Sequence, residues 1–147
     1  MVDVEDVASS IDWQEFEGFV AEIFRANDFR VKQNFRFKTS RRFEIDLVAS
    51  NGNMILCVDC KQWAGGRYKK SALKKAVHEQ KMRVKEIKKF LKRNIIAQKT
   101  LKYGDQFEPL IVTLMEEELV NENDVWLVPV WKLNNFLLEK EKYLRKE

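Results

Sequence analysis

Residues 43–63 read FEIDLVASNGNMILCVDCKQW. Two carboxylates, Asp46 and Asp59, flank an Asn51-Gly52 pair, and Lys61 follows Asp59 by two positions. Asn-Gly is a strong hairpin signal, because a type I′ turn needs φ > 0 at both central residues. The segment is therefore predicted as a β-hairpin in which Ser50 faces Asn53, Asp46 faces Cys57 and Glu44 faces Asp59. Alternation along each strand puts Glu44, Asp46, Val48, Ile55, Cys57, Asp59 and Lys61 on one face. Phe43, Ile45, Leu47, Ala49, Met54, Leu56 and Val58 take the other, which is wholly apolar. A one-residue slip would bury the charges, so the pattern itself selects the face.

Asp46 and Asp59 would repel each other if both were ionised. A divalent cation removes that penalty. Mg²⁺ takes oxygen ligands and is commonly held by one or two carboxylates plus water and substrate phosphate. Lys61, one pleat beyond Asp59, is placed to orient or activate an attacking water and to offset charge developing on a phosphate. That is the chemistry of a metal-dependent phosphodiesterase. A salt-bridge ladder of Glu44, Asp46, Asp59 and Lys61 on a solvated sheet accounts for the same spacing, and both readings stay open at this level.

The elements that must position these groups can be read from periodicity. Residues 12–27 are predicted as a helix, with Asp12 and Glu15 at capping-box spacing. Trp13, Phe16, Phe19, Val20, Ile23 and Phe24 fill one arc of it. Glu17 falls at the edge of that arc beside Phe24. A carboxylate there calls for a partner, either a metal-bound water or a lysine, unless it is a solvated boundary residue. Residues 29–38 are predicted as a strand and 39–42 as a turn. A long helix is expected over 71–93 on the stripe Leu73, Ala76, Val77, Gln80, Val84, Ile87 and Leu91. Gln80 is the polar member of that stripe and reads most simply as bonded to backbone. Strands at 109–114 and 125–130 and a helix over 131–144 close the chain. The order αβββαββα describes an α/β domain, a mixed central sheet of about five strands flanked by helices.

The chain has 147 residues, and 45% hydrophobic content supplies a core for one domain spanning 1–147. Nothing approaches the ~20 apolar residues of a membrane span. The acidic start, MVDVEDVASS, lacks the apolar stretch of a signal peptide. A soluble cytoplasmic protein is expected. Residues 1–28 carry eight acidic side chains and one basic, whereas 67–102 carry fourteen basic against two acidic. Such an excess suits a polyanionic partner, though a solvated lysine-rich helix face has the same composition. The pair Cys57 and Cys60 has CxxC spacing, but three residues along a strand send side chains to opposite faces. With one histidine and no other cysteine there is no second ligand pair for zinc. Free thiols are expected. Residues 65–71 only faintly echo a phosphate loop, since Lys69 stands where its glycine should precede the Lys-Ser pair.

Taken together, these residues resemble the PD-(D/E)xK nuclease superfamily, with its restriction-endonuclease-like fold, and within it the Mrr-like and archaeal Holliday-junction-resolvase-like branches. Phe16-Glu17 with Phe19-Val20, followed by Asn27-Asp28-Phe29, looks like the opening helix and strand. Ile45-Asp46-Leu47-Val48-Ala49 looks like the strand that bears the first aspartate. Asp59-Cys60-Lys61 takes the (D/E)xK position. Leu110 to Thr113 and 125–136 resemble the closing strands and helix. The chain departs from the pattern at Ile45 (often Pro), Glu44 (often Gly), Asp28 (usually Gly) and Asp59 (often Gln or Glu in Mrr-like members).

The resemblance implies that Asp46 and Asp59 ligate Mg²⁺, with Mn²⁺ as a substitute and the Cys60 carbonyl as a third ligand. It implies that Lys61 activates or positions water, that Glu17 touches the metal or its water shell, and that Gln80 assists. The expected activity is a Mg²⁺-dependent endodeoxyribonuclease, Mrr-like or junction-resolving. The alternative is a non-catalytic nucleic-acid-binding module on the same fold, and a third reading is a structural subunit whose lysines only solubilise it. DNA is the expected partner. Arg36, Lys38, Arg41 and Arg42, with Lys69 and Lys70 at the head of the basic helix, are expected to hold its backbone. A homodimer suits a substrate with two strands.

Overall fold

The first helix, α1 (Trp13–Ala26), buries Phe16, Val20 and Phe24, which recur at one-turn spacing. Phe19 and Trp13, assigned to the same arc, stand 55% and 39% exposed instead. Asp12 occupies the N-cap without a side-chain capping bond, so the capping box does not form. The computed structural model describes residues 12–62, 70–101, 106–114 and 118–144. After α1, Asp28 adopts φ 67°, a left-handed conformation that Asp tolerates better than most residues. It can therefore stand where a glycine usually does.

Three antiparallel strands follow: β1 (Arg30–Lys38), β2 (Arg42–Ser50) and β3 (Met54–Lys61). Next come the long helix α2 (Lys70–Lys92) and a short helix α3 (Ile95–Leu101). Asn94 starts α3 by accepting the Ala97 N–H at 2.9 Å. The chain closes with β4 (Gln106–Thr113), β5 (Val120–Glu122), β6 (Val125–Pro129), α4 (Val130–Leu138) and α5 (Lys140–Leu144). The sheet order is β1-β2-β3-β4-β6-β5, with β4 parallel to both β3 and β6. The sheet has six strands rather than five. The extra one, β5, is three residues long and too short to show alternation. The helix expected over 131–144 is interrupted at Glu139, the C-cap of α4.

The sheet lies between two helical layers. On one side α1, α4 and α5 pack over Leu47, Ala49, Leu56, Val58, Leu110 and Val112. On the other, α2 and α3 cover Val48, Ile55 and Cys57 through Val84, Ile87, Leu91 and Leu101. The first half of α2 packs Leu73, Ala76 and Val77 on Ile111 and Leu127. The whole stripe predicted for α2 is buried.

The β2–β3 connection departs from the predicted turn. Ser50 pairs with Ile55, not with Asn53. The Asn51 N–H donates to the Met54 carbonyl at 3.3 Å, and its side-chain oxygen accepts the N–H groups of both Asn53 and Met54, each at 2.9 Å, so the turn closes one residue later than predicted, around Gly52-Asn53. Only Gly52 takes positive φ within it, at 92°. Positive φ at two successive residues occurs instead at Asn123-Asp124, between the paired residues Glu122 and Val125.

The predicted faces of β2 are also corrected. Phe43 and Ile45 do not share a face with Leu47 and Ala49; they pack under α2 with Phe37 and Ile87. Between the pairs Gln33–Leu47 and Phe35–Ile45 the β1–β2 ladder skips Asn34 and Asp46. Asn34 has φ 52° there, which breaks the two-residue alternation. Asp46 therefore sits at a break in the sheet.

Candidate active site

The later turn moves the register of β2 against β3 by two residues. The ladder runs from Ser50–Ile55 to Leu47–Val58. One step further, Asp46 stands level with Asp59, where the two-residue turn would have put Cys57. The main-chain ladder stops at that point. Asp46 Oδ2 accepts the Cys60 N–H at 2.9 Å, so a side chain takes over the strand's donor. Glu44, expected opposite Asp59, instead bonds Arg36 across the β1–β2 pair at 2.7 Å.

Asp59 is 6% exposed. Its Oδ2 is buried and has no hydrogen-bond partner, although Lys61 Nζ stands 3.4 Å away and Arg83 Nη1 3.8 Å away. These are charge contacts without hydrogen-bond geometry. Burial pushes the Asp59 carboxyl up to about 7; Lys61 opposes the shift, Asp46 adds to it, and Arg83 opposes it in turn. The adjoining Asp46 carboxylate thus disfavours the charged form of Asp59, as like charges do where they share a site.

Glu17 reaches the same region from α1. It is 5% exposed, and burial raises its pKa, with the Asp46 charge as the next cause. A hydrogen bond from Trp13 works in the opposite sense. The buried carboxylate read from periodicity therefore has an indole partner and an acidic neighbourhood. Glu17, Asp46 and Asp59 all act on the Cys60 thiol, whose pKa is raised well above the ordinary value, first by burial. Cys57 is pushed up to about 12 by burial. Both cysteines are free and buried, in the cores on opposite faces of the sheet.

Gln80 is fully buried on α2. Its amide donates to the carbonyls of Cys57 and Leu110, each at 2.8 Å, and its oxygen accepts Arg83 Nη1 at 2.9 Å. The expectation of a backbone-bonded glutamine is met, and the same contacts bring in Arg83. Sequence reasoning passed over Arg83 as one of many cations. Its place one turn after Gln80 was the available signal.

Four of the basic residues assigned to phosphate contact, Arg36, Lys38, Arg41 and Arg42, lie on the β1–β2 hairpin. Arg36, Lys38 and Arg42 line a cleft of about 660 Å³ with Phe37, Phe43 and Glu44. Arg41 lies over the Phe43 ring, 4.1 Å from its centroid. Lys69 and the side chain of Lys70 lie outside the described residues. Residues 65–69 and 115–117 do so as well, and with them most of the phosphate-loop echo.

The donor set suits a hard cation. Among the described residues no three His, Cys, Asp or Glu side chains form a ready-made metal cage. Mg²⁺ does not need one, since it keeps several waters and takes one or two carboxylates. The orphaned Asp59 Oδ2, the adjoining Asp46 and the Cys60 carbonyl match that requirement.

Residues 8–121 match the family Mrr_cat, described as restriction endonuclease. The chain belongs to the restriction endonuclease family. Its core is the PD-(D/E)xK nuclease fold, and the matched residues include Asp46, Asp59 and Lys61. A protein of Archaeoglobus fulgidus, described as uncharacterized, is 32% identical over 133 residues, 90% of this chain and 94% of that one. A crystal structure of a protein of unknown function superposes with a TM-score of 0.53 at 18% identity, covering 90% of this chain and 71% of that one. At that identity the likeness concerns the fold alone. No helix among the described residues is long and apolar enough to cross a membrane.

Proposed function

We propose that this nuclease-family chain is a Mg²⁺-dependent DNA endonuclease. One observation carries the reading. Asp46 and Asp59 adjoin at a break in the sheet, and the orphaned oxygen of Asp59 has Lys61 at 3.4 Å. A structural ion-pair ladder would have left that oxygen satisfied.

Asp46, Asp59 and the Cys60 carbonyl would hold the cation. Bound there, it would supply Lewis-acid polarisation of a phosphate oxygen. Lys61 orients the attacking water and offsets negative charge gathering on the phosphate. Water oxygen bonds to phosphorus and one bridging P–O bond breaks; the water's proton leaves for solvent, and the departing sugar oxygen takes a proton from solvent to leave as an alcohol. Glu17, with its raised pKa, holds a proton or accepts one at the edge of that water shell. The hairpin cations Arg36, Lys38, Arg41 and Arg42, with Lys69 and Lys70, hold the phosphate backbone without reading sequence. Among the described residues no base-reading element accompanies them, so recognition rests on DNA structure, such as a branch or junction, or on a partner. A homodimer would address both strands.

The test is cleavage of duplex, branched and single-stranded DNA with Mg²⁺ or Mn²⁺. Divalent-dependent products that vanish in Lys61→Ala support the reading. Binding without divalent-dependent cleavage would leave a nucleic-acid-binding module on a nuclease fold. Cutting unchanged by Lys61→Ala removes the proposed role of that lysine.

A further inference from the structure

Arg83 belongs to none of the motifs above, yet Gln80, Asp59 and Glu79 all lie about its guanidinium. Its Nη1 donates to Gln80 Oε1 at 2.9 Å and stands 3.8 Å from Asp59 Oδ2; its Nη2 stands 3.7 Å from Glu79. Gln80 cannot turn over freely, because its amide nitrogen is committed to main-chain carbonyls on two adjacent strands. A reversed amide would abandon both bonds in a fully buried place. The guanidinium is thus tethered to the sheet backbone through a single side chain. Its own side chain keeps 21% exposure, so it has an open side.

Two cations, Lys61 and Arg83, flank one buried oxygen. A divalent ion on that oxygen would meet both. Repulsion between charges a few ångströms apart matches the attraction each has for the carboxylate. One of the resident cations must give way. Lys61 follows Asp59 on the same strand, whereas Arg83 reaches in from α2 on a long side chain.

We propose that Arg83 is the resident counter-cation of Asp59, displaced when a divalent ion binds, and that the freed guanidinium then contacts a non-bridging oxygen of the substrate phosphate. The proposal rests on the metal-dependent nuclease reading. A guanidinium suits the second task, since its fork of donors matches phosphate geometry and its charge is permanent. Gln80 is then a positioning residue, which keeps the displaced group beside the site.

The experiment separates the two tasks by sign. Mn²⁺ alone is titrated calorimetrically into the full chain, as wild type, Arg83→Ala and Arg83→Lys. Duplex and branched DNA are then titrated with Ca²⁺ in place of Mg²⁺. Arg83→Ala is expected to bind Mn²⁺ about tenfold more tightly, having lost a competing charge, and DNA about tenfold more weakly. Arg83→Lys is expected to keep wild-type metal affinity but bind DNA less well, because a point charge replaces the fork. If Arg83→Ala does not fold, the Arg83→Lys pattern alone decides, and unchanged DNA affinity overturns the proposal. Weaker binding of both ligands by Arg83→Ala, no change in either, or no metal binding by any of the three proteins also overturns it. Opposite shifts in a chain that cuts no DNA would refute the nuclease reading while leaving the counter-cation in place. Cleavage without the shifts would do the reverse.

Discussion

Asp46 and Cys60 are joined by one hydrogen bond, from the Cys60 backbone N–H to Asp46 Oδ2 at 2.9 Å. The bond continues the β2–β3 pairing after the main-chain ladder has ended. It also aims the Asp46 carboxylate at the end of β3. One side chain therefore has a structural and a chemical task, and these can be separated.

Asp46→Asn keeps an oxygen that can accept the Cys60 N–H, whereas Asp46→Ala leaves that donor without its partner. Asp46→Ala is expected to be less stable than Asp46→Asn by about 1–2 kcal/mol. Both are expected to lose metal binding. Urea denaturation beside a Mn²⁺ titration checks this. Equal stability of the two variants would deny the bond its structural part.

Asp59 predicts an inverted pH dependence in metal-free protein. Burial raises its pKa from 3.8 to about 7 in the folded chain. Below pH 3.8 both states hold the proton and no penalty arises. As pH rises toward 7 the unfolded chain releases it first, so stability falls across that window, by about 1.4 kcal/mol per unit of separation. Melting in EDTA should show the wild type losing ground to Asp59→Asn between pH 4 and about 7. Mg²⁺ above pH 7 should restore the difference, because it binds the ionised carboxylate. Parallel pH profiles for the two proteins would contradict the argument.

Asn51 lies far from the carboxylates along the strand but sets their alignment. Its side chain closes the loop that puts Asp46 level with Asp59. Asn51→Ala is expected to cost about 1–2 kcal/mol. It should also lower cleavage more than that loss of folded protein explains. Activity corrected for the folded fraction is the measurement, and full recovery after correction would show that the loop does not govern alignment.

Glu44 and Arg36 neutralise each other on the hairpin that carries the basic cleft. Glu44→Ala should free Arg36 for phosphate, raising DNA affinity at low salt and steepening the salt dependence by about one counterion. Arg42→Ala should flatten it by a similar amount. Binding measured across a salt series distinguishes the two. Identical slopes in all three proteins would place the DNA path elsewhere.

Much of the site was legible in the chain. Asp59 and Lys61 alternate on one strand, Glu17 falls at the edge of the apolar arc of α1, and Gln80 interrupts an apolar stripe; each placement follows from a local period. Those periods come from backbone geometry, which a sequence carries in full. The α2 core stripe formed as predicted for the same reason. The register of β2 against β3 was not local. It depended on whether the tight turn would centre on Asn51-Gly52 or, with the Asn51 side chain bonded inside it, on Gly52-Asn53, and the two choices differ by two residues in register and leave the faces alike. Asn34 broke the alternation of β1 and β2 through one dihedral angle that nothing in its neighbours demanded. Which of many cations would turn toward Asp59 was set by Gln80, whose amide needed two carbonyls from strands distant in sequence. The residue types determined by themselves that acids and a lysine would meet at the end of β3. Only tertiary packing decided which acid stands beside which, and that Arg83 joins them, because those outcomes depend on hydrogen bonds between segments that periodicity cannot relate.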